Sequence, residues 1–244
     1  MKVLKNKFSI FNLAGVAALS AVLFFSSCSD DDDNPSNPDQ QTNVKVVNGV
    51  YDGTDLVVKL NGTQVGPKAL AFKNSTDYTA VGAAKSEVTL TVTEQSTNKE
   101  ILASTLSIAP KANSSLYLVP QTATSAVSTL LITDDFTAPA AGKAKVRLVN
   151  LSPDAGSVDL FLNGKAVPSA TGIAFKTASP FVEVDPATTA NFELRQTGKD
   201  NVLVALPNAA VQAGEFTTLW AQGQRAVATA PPLALGKIVN KAGN

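Results

Sequence analysis

Leu56-Val57-Val58-Lys59-Leu60-Asn61-Gly62 and Val158-Asp159-Leu160-Phe161-Leu162-Asn163-Gly164 decide the fold. In each stretch every second residue is apolar, and a period of two sets one apolar row on one face of a β-strand. Both stretches stop at Asn-Gly, the dipeptide that best tolerates positive φ in a tight hairpin turn. The same strand and turn therefore occur twice, about a hundred residues apart, which is the length of a domain rather than of a solenoid repeat.

The repeat extends outward in both directions. Val44-Lys45-Val46-Val47-Asn48 aligns with Val146-Arg147-Leu148-Val149-Asn150, and Asp52 aligns with Asp154. After one extra residue in the second copy, Ala71-Phe72-Lys73 aligns with Ala174-Phe175-Lys176, and Tyr78 with Phe181. Val88, Leu90 and Val92 alternate with Thr89, Thr91 and Thr93, a half-buried strand with a threonine face. Further strands are expected over residues 101–108, 116–119, 127–132, 202–206 and 215–221. No segment after residue 27 sustains a 3.6-residue period, so short strands separated by turns predict an all-β fold of two tandem antiparallel sandwiches. The expected boundaries are 1–27 signal, 28–42 tether, 43–137 first sandwich, 138–143 linker, 144–235 second sandwich and 236–244 C-terminal tail. Each copy is long enough to close a core without disulfides.

Residues 144–155 (AKVRLVNLSPDA), followed by Val158-Asp159-Leu160-Phe161-Leu162-Asn163-Gly164, resemble the opening of the domain-of-unknown-function 4397 family. Ala213-Gly214-Glu215-Phe216-Thr217-Thr218-Leu219-Trp220 is similar to that family's later strand motif. The first copy resembles it less closely, with Gly49-Val50-Tyr51 where the second has Leu151-Ser152-Pro153. The resemblance runs over residues 43–235. It implies immunoglobulin-like sandwiches, often in tandem, in secreted and cell-surface bacterial proteins, and no catalytic residues.

The N-terminal stretch gives an address. Lys2, Lys5 and Lys7 precede a mostly apolar run over residues 8–25, then Ser26-Ser27-Cys28. That order is a secretory signal. Cys28 makes it similar to a bacterial lipoprotein signal, in which this cysteine is acylated and becomes the mature N-terminus; Phe25 stands where the pattern usually has Leu. The apolar run is too short and too often interrupted, by Ser9, Asn12 and Ser20, for a membrane span of about 20 residues. Ser29, Asp30, Asp31, Asp32 and Asp33 resemble the acidic export tag that follows the lipidated cysteine in surface lipoproteins of one group of diderm bacteria. Residues 34–41 continue as a Pro-, Asn- and Gln-rich tether. The expected location is the outer membrane, lipid-anchored and facing the cell exterior.

Composition excludes several chemistries. The chain has 20 basic and 20 acidic residues, and removing residues 1–27 leaves 17 against 20. No basic field attracts nucleic acid. No histidine is present, and the single cysteine is Cys28. The commonest general base, a Ser-His-Asp triad and thiolate chemistry are therefore absent. No phosphate-cradling glycine motif occurs and no cofactor is expected.

The remaining candidates are weak. Asp52, Asp55, Asp154 and Asp159 recur after the first strand of each copy and are candidate calcium ligands, but the sites supply few oxygens and the reading favours turn residues. Glu183, Asp185 and Glu193 are the carboxylates a two-acid hydrolase would need. Trp220, Phe161 and Tyr117 are candidate sugar platforms. Trp220 falls in a strand pattern and is read as packing. Phe161, opposite Leu160 and Leu162, is the better interaction candidate, and Phe72 joins it. The functional expectation is a non-catalytic surface lipoprotein that binds an extracellular glycan or protein. The alternatives are a structural spacer or accessory subunit of an outer-membrane assembly, and third a carboxylate-dependent hydrolase.

Overall fold

The computed structural model describes residues 41–51, 55–66, 68–81, 87–120, 127–226 and 228–243. The first copy contributes β1 (Asn43–Asn48), β2 (Leu56–Leu60), β3 (Thr63–Gln64), β4 (Thr79–Ala80), β5 (Glu87–Glu94), β6 (Glu100–Ser107), β7 (Asn113–Val119) and β8 (Ser128–Asp134). The second contributes β9 (Ala144–Asn150), β10 (Val158–Leu162), β11 (Lys165–Ala166), β12 (Thr177–Ala178), β13 (Val182–Val184), β14 (Ala187–Gln196), β15 (Val202–Val211), β16 (Phe216–Gln222) and β17 (Ala234–Lys241). The described residues contain no helix.

Four sheets result, two per copy. In the first copy β4-β1-β7-β8 faces β3-β2-β5-β6. In the second β12-β9-β16-β17, with β13 also on β9, faces β11-β10-β14-β15. The expected sandwiches are there, with one parallel pair in each: β1 with β7, and β9 with β16. Both Asn-Gly turns form as expected. Asn61 and Asn163 sit at φ of 49° and 50°, each followed by a glycine at positive φ. The two asparagine side chains also do the same work, accepting from the backbone amides of Thr89 and Asn191.

The expected end of the second sandwich at residue 235, with 236–244 as a tail, is corrected: β17 continues to Lys241 and pairs along the whole of β16. Gly236 breaks the apolar alternation there, which hides the strand from a pattern search.

Each sandwich closes its own core. Val44, Val46, Val58, Leu60, Leu90 and Leu116 meet inside the first, and Val146, Leu148, Leu160, Phe192, Leu194 and Leu219 inside the second. A third core joins Val47, Tyr117 and Val119 to Val149, Leu151, Trp220 and Ile238. The β1-containing sheet and the β9-containing sheet therefore pack face to face. Burial along the strands says the same. β7 and β16 are buried on both faces, whereas β2 and β5 alternate between core and solvent. The result is four sheet layers with the two inner sheets covered on both sides.

Candidate binding cleft at the seam

The two copies meet through equivalent positions, and each half of the seam is built from one copy's first strand, the loop that follows its hairpin, and the last strand of the other copy. Side chains at those positions differ. Arg147, on β9, is 1% exposed and reaches across the seam to Asp134 at the end of β8, with Nη1 2.6 Å from Oδ1. Its Nε donates to Thr218 (2.8 Å) and its Nη2 to Ser115 (3.2 Å) and Tyr117 (3.3 Å). The hydroxyls of Ser115 and Tyr78 both donate to Asp134 Oδ2 at 2.7 Å, and Asn240 of β17 donates to Tyr78 at 3.1 Å. A fully buried ion pair is tolerated only when its remaining lone pairs and protons are used. Here Asp134 Oδ2 accepts from two hydroxyls and Arg147 donates three hydrogen bonds, while Asp134 Oδ1 has only the guanidinium charge. Burial opposes the charge on Arg147, but Tyr117 and Asp134 outweigh it and hold the guanidinium above its ordinary range. Burial, with the Asp134 charge, likewise pushes the Tyr78 hydroxyl far above the usual phenol range.

Lys45 occupies the place of Arg147 in the first copy and has no such partner. It is 6% exposed, donates to the Thr76 carbonyl at 3.0 Å and lies 5.1 Å from the Tyr78 ring centroid. Burial pushes its ammonium below the ordinary lysine value, while Asp77 and Asp134 pull it back.

One half of the seam is filled and the other is open. Phe175 and Ala178 of the second copy, with Leu130 and Ile132 of the first, pack onto the third core. At the positions equivalent to Phe175 and Ala178 stand Phe72 and Ser75. Phe72 turns away to Tyr51, with ring centroids 5.8 Å apart and Lys73 Nζ over its face at 5.2 Å. The space left is a cleft of about 570 Å³, within the range of small-molecule sites. Lys45, Lys68, Lys73, Asn74, Ser75, Thr76 and Asp77 line one wall; Lys237, Ile238 and Val239 line the other. Val239 is 42% exposed, one of two large apolar side chains left in solvent among the described residues. Lys237 is already engaged, 3.0 Å from the buried Glu215. Among the described residues no carboxylate lies within ion-pair distance of Lys45, Lys68 or Lys73.

The sequence candidates fall elsewhere. Trp220 is 1% exposed inside the seam and lies against Gly236, where a Cβ would sit 2.4 Å from its indole nitrogen. Tyr117 is wholly buried. Phe161 is half-buried on the outer sheet and is capped by the Arg195 guanidinium at 4.0 Å. Asp154 accepts from the backbone amides of Arg225 and Ala226 at 2.8 and 2.9 Å. Asp159 accepts from the Gly172 amide at 2.7 Å and the Thr197 hydroxyl at 2.8 Å. Both carboxylates fasten loops. Asp55 is exposed. Glu183 accepts from the Ala140 amide, Asp185 pairs with Lys143, and Glu193 pairs with Arg195. Cys28, Ser29, Asp30, Asp31, Asp32, Asp33 and Asp52 lie outside the described residues.

Sequence reasoning missed Lys45, Lys73, Lys237, Asp134 and Phe136. One signal was present: Lys45 and Arg147 sit inside otherwise apolar runs at the same repeat position, where a buried charge needs a reason. Phe136 of the connecting segment packs between Tyr78, Phe181 and Phe216, at 5.7, 6.2 and 5.1 Å.

Residues 42–161 match the model of a family described as Domain of unknown function (DUF4397). The match covers the first sandwich and runs through β9 and most of β10, whereas the sequence motifs place the closer resemblance in the second copy. No curated protein matches. Among solved structures, the chain is similar to a family CBM26 module from Eubacterium rectale Amy13K, solved with maltoheptaose: 11% identity, TM-score 0.27, covering 83% of this chain and 98% of that one. A structure titled as alpha-glucan binding by a streptococcal virulence factor shares 10% identity at TM-score 0.28, covering 73% and 92%. Both likenesses are too distant to inform the choice of ligand.

Proposed function

We propose that this chain is a non-catalytic surface lipoprotein whose paired sandwiches serve binding or adhesion, with the open half of the seam as the binding site for an extracellular glycan or protein. The observation that carries the choice is the face-to-face packing of the two inner sheets. A spacer gains reach when its domains stack end to end. Burying a sheet of each copy against the other gives up that reach and yields a rigid body with a cleft at its joint, between elements of different copies. Sites between domains are a common location for ligands.

Ser26-Ser27-Cys28 and the acidic run at Asp30, Asp31, Asp32 and Asp33 support lipid anchoring at the outer membrane, facing outward. Cys28→Ser should release the protein from the membrane fraction or leave it unprocessed. Replacing the four aspartates with alanine should keep lipidation and remove protease accessibility on intact cells. The binding reading is tested by glycan arrays and protein pulldowns with the full chain, comparing wild type with Val239→Glu, which puts a charge at the cleft wall. A ligand captured by wild type and lost in the variant supports it. Capture unaffected by Val239→Glu, or blank arrays and pulldowns, removes the cleft as the site.

A further inference from the structure

We infer that the open half of the seam takes an acidic carbohydrate, a saccharide bearing a carboxylate or sulfate beside free hydroxyls; this rests on the cleft being the binding site. The two halves of the seam supply the reason. Where Arg147 pairs with Asp134 at 2.6 Å, its counterpart Lys45 directly contacts only a backbone carbonyl and an aromatic face, with Asp77 and Asp134 acting on it from beyond ion-pair distance. Lys45, a residue only 6% exposed that lines an open cleft with no carboxylate in ion-pair distance, is half of an ion pair. An arriving oxyanion completes it.

Lys68 and Lys73, on the same wall and without a carboxylate partner among the described residues, add attraction at the mouth. Asn74, Ser75 and Asp77 offer donors and acceptors for hydroxyl groups, whereas the buried Thr76 hydroxyl is spent on the Val46 amide and the Asp77 carbonyl. Asp77 also sets a limit. It repels a densely charged phosphate polymer but accepts hydrogen bonds from a sugar's hydroxyls, donors that the ionised side chains of an acidic peptide do not offer. The filled half shows that an empty cleft is not forced by the fold, because Phe175 and Ala178 close the equivalent space.

The full-length chain in detergent, titrated calorimetrically with tetragalacturonate, a sulfated heparin tetrasaccharide, maltotetraose and hexaglutamate, decides the matter. The expected result is binding of at least one acidic saccharide, with maltotetraose and hexaglutamate weaker by about tenfold or more. The double variant Lys68→Ala, Lys73→Asn should weaken the acidic saccharide by a similar factor, as should raised salt. Asparagine is chosen because Lys73 sits at φ 73°. Lys45→Met should weaken it further. It touches the seam, so the exposed double variant is decisive. Carboxylate and sulfate arms then identify which oxyanion is read. Equal binding of maltotetraose or hexaglutamate, lost in Val239→Glu, overturns the acidic-saccharide inference and leaves the cleft as the site. Acidic binding that the double variant does not change also overturns it. Silence from all four probes, when arrays or pulldowns give a cleft-dependent ligand, sinks this inference alone.

Discussion

Lys45 and Arg147 stand at the same position of two repeated strands, yet one is a buried cation without a carboxylate in ion-pair distance and the other sits in a hydrogen-bonded ion-pair network. Similar divergence recurs across the seam. Opposite Tyr117 on β8 is Leu130, whereas opposite the equivalent Trp220 on β17 is Gly236. Where the second copy has Leu151, the first has Gly49, whose added Cβ would lie 2.8 Å from the Leu118 carbonyl and 3.5 Å from the Trp220 ring. The larger ring of the second copy is thus housed by two glycines, one from each copy. A duplicated sandwich can pack on itself through equivalent positions only if its bulky residues are matched by small ones nearby. Once that matching is made, the two halves are free to differ in function. One half has become a lock, and the other has stayed open.

Separating the copies puts the greatest stress on this contrast. Each has its own core, so residues 144–244 alone should stay β-structured and unfold cooperatively. They would expose Val149, Leu151, Trp220 and Ile238, and we expect a lower melting midpoint and self-association by sedimentation. A monomeric fragment of undiminished stability would mean the seam contributes little.

The next effect contrasts the two cations. Asp134→Ala leaves Arg147 buried without its partner and should cost about 3–5 kcal/mol by denaturant titration. Lys45→Met removes a buried charge that has no carboxylate in ion-pair distance and should change stability by less than about 1 kcal/mol, with a gain the expected sign. Equal losses at both positions would contradict the lock-and-open distinction.

A smaller effect tests the matching of bulk. Gly236→Ala should cost about 1–3 kcal/mol through overpacking against Trp220. The loss should shrink in a Trp220→Phe background, as a double-mutant cycle would reveal.

The smallest effect is in pH. Tyr78 keeps its proton in the folded state above the ordinary phenol pKa, while the unfolded chain releases it near 10. Above about pH 10 the unfolded state then holds fewer protons, so stability is full below that pH and falls as pH rises, by at most about 1.4 kcal/mol per unit. Tyr78→Phe, which installs the residue the second copy already has as Phe181, should flatten that slope relative to wild type. An unchanged alkaline slope would place the titration elsewhere.

Much of the sandwich architecture was legible because local rules carry it. Period-two runs at 56–60 and 158–162, Asn-Gly turns and a repeat register are each short-range signals. Three features were not. The parallel pairing of β1 with β7 leaves no trace in alternation, which encodes a face and not a partner. β17 was hidden by the glycine that accommodates Trp220. The seam itself was written in Val46-Val47, Leu148-Val149 and the unbroken run at 116–119, since strands covered on both faces lose their alternation. Read as one-sided strands, they gave no reason to join the copies. The cleft depends on that joining, so its lysines could not be grouped from sequence, and the aromatic candidates Phe161 and Trp220 turned out to be capped and buried.

The parallel pair also sets an order of assembly. β2, β5 and β6 are neighbours joined by antiparallel pairing and can zip as soon as they emerge. β1 must wait for β7, with Asn43 meeting Asn113 across 70 residues of chain, and β9 waits over a comparable distance for β16. Closing such loops is slow relative to hairpin formation. The outer sheets should therefore gain hydrogen-exchange protection first. The inner sheets, which carry the seam, should come after them, once nearly the whole of each copy is available, and the Arg147–Asp134 pair should form last of all.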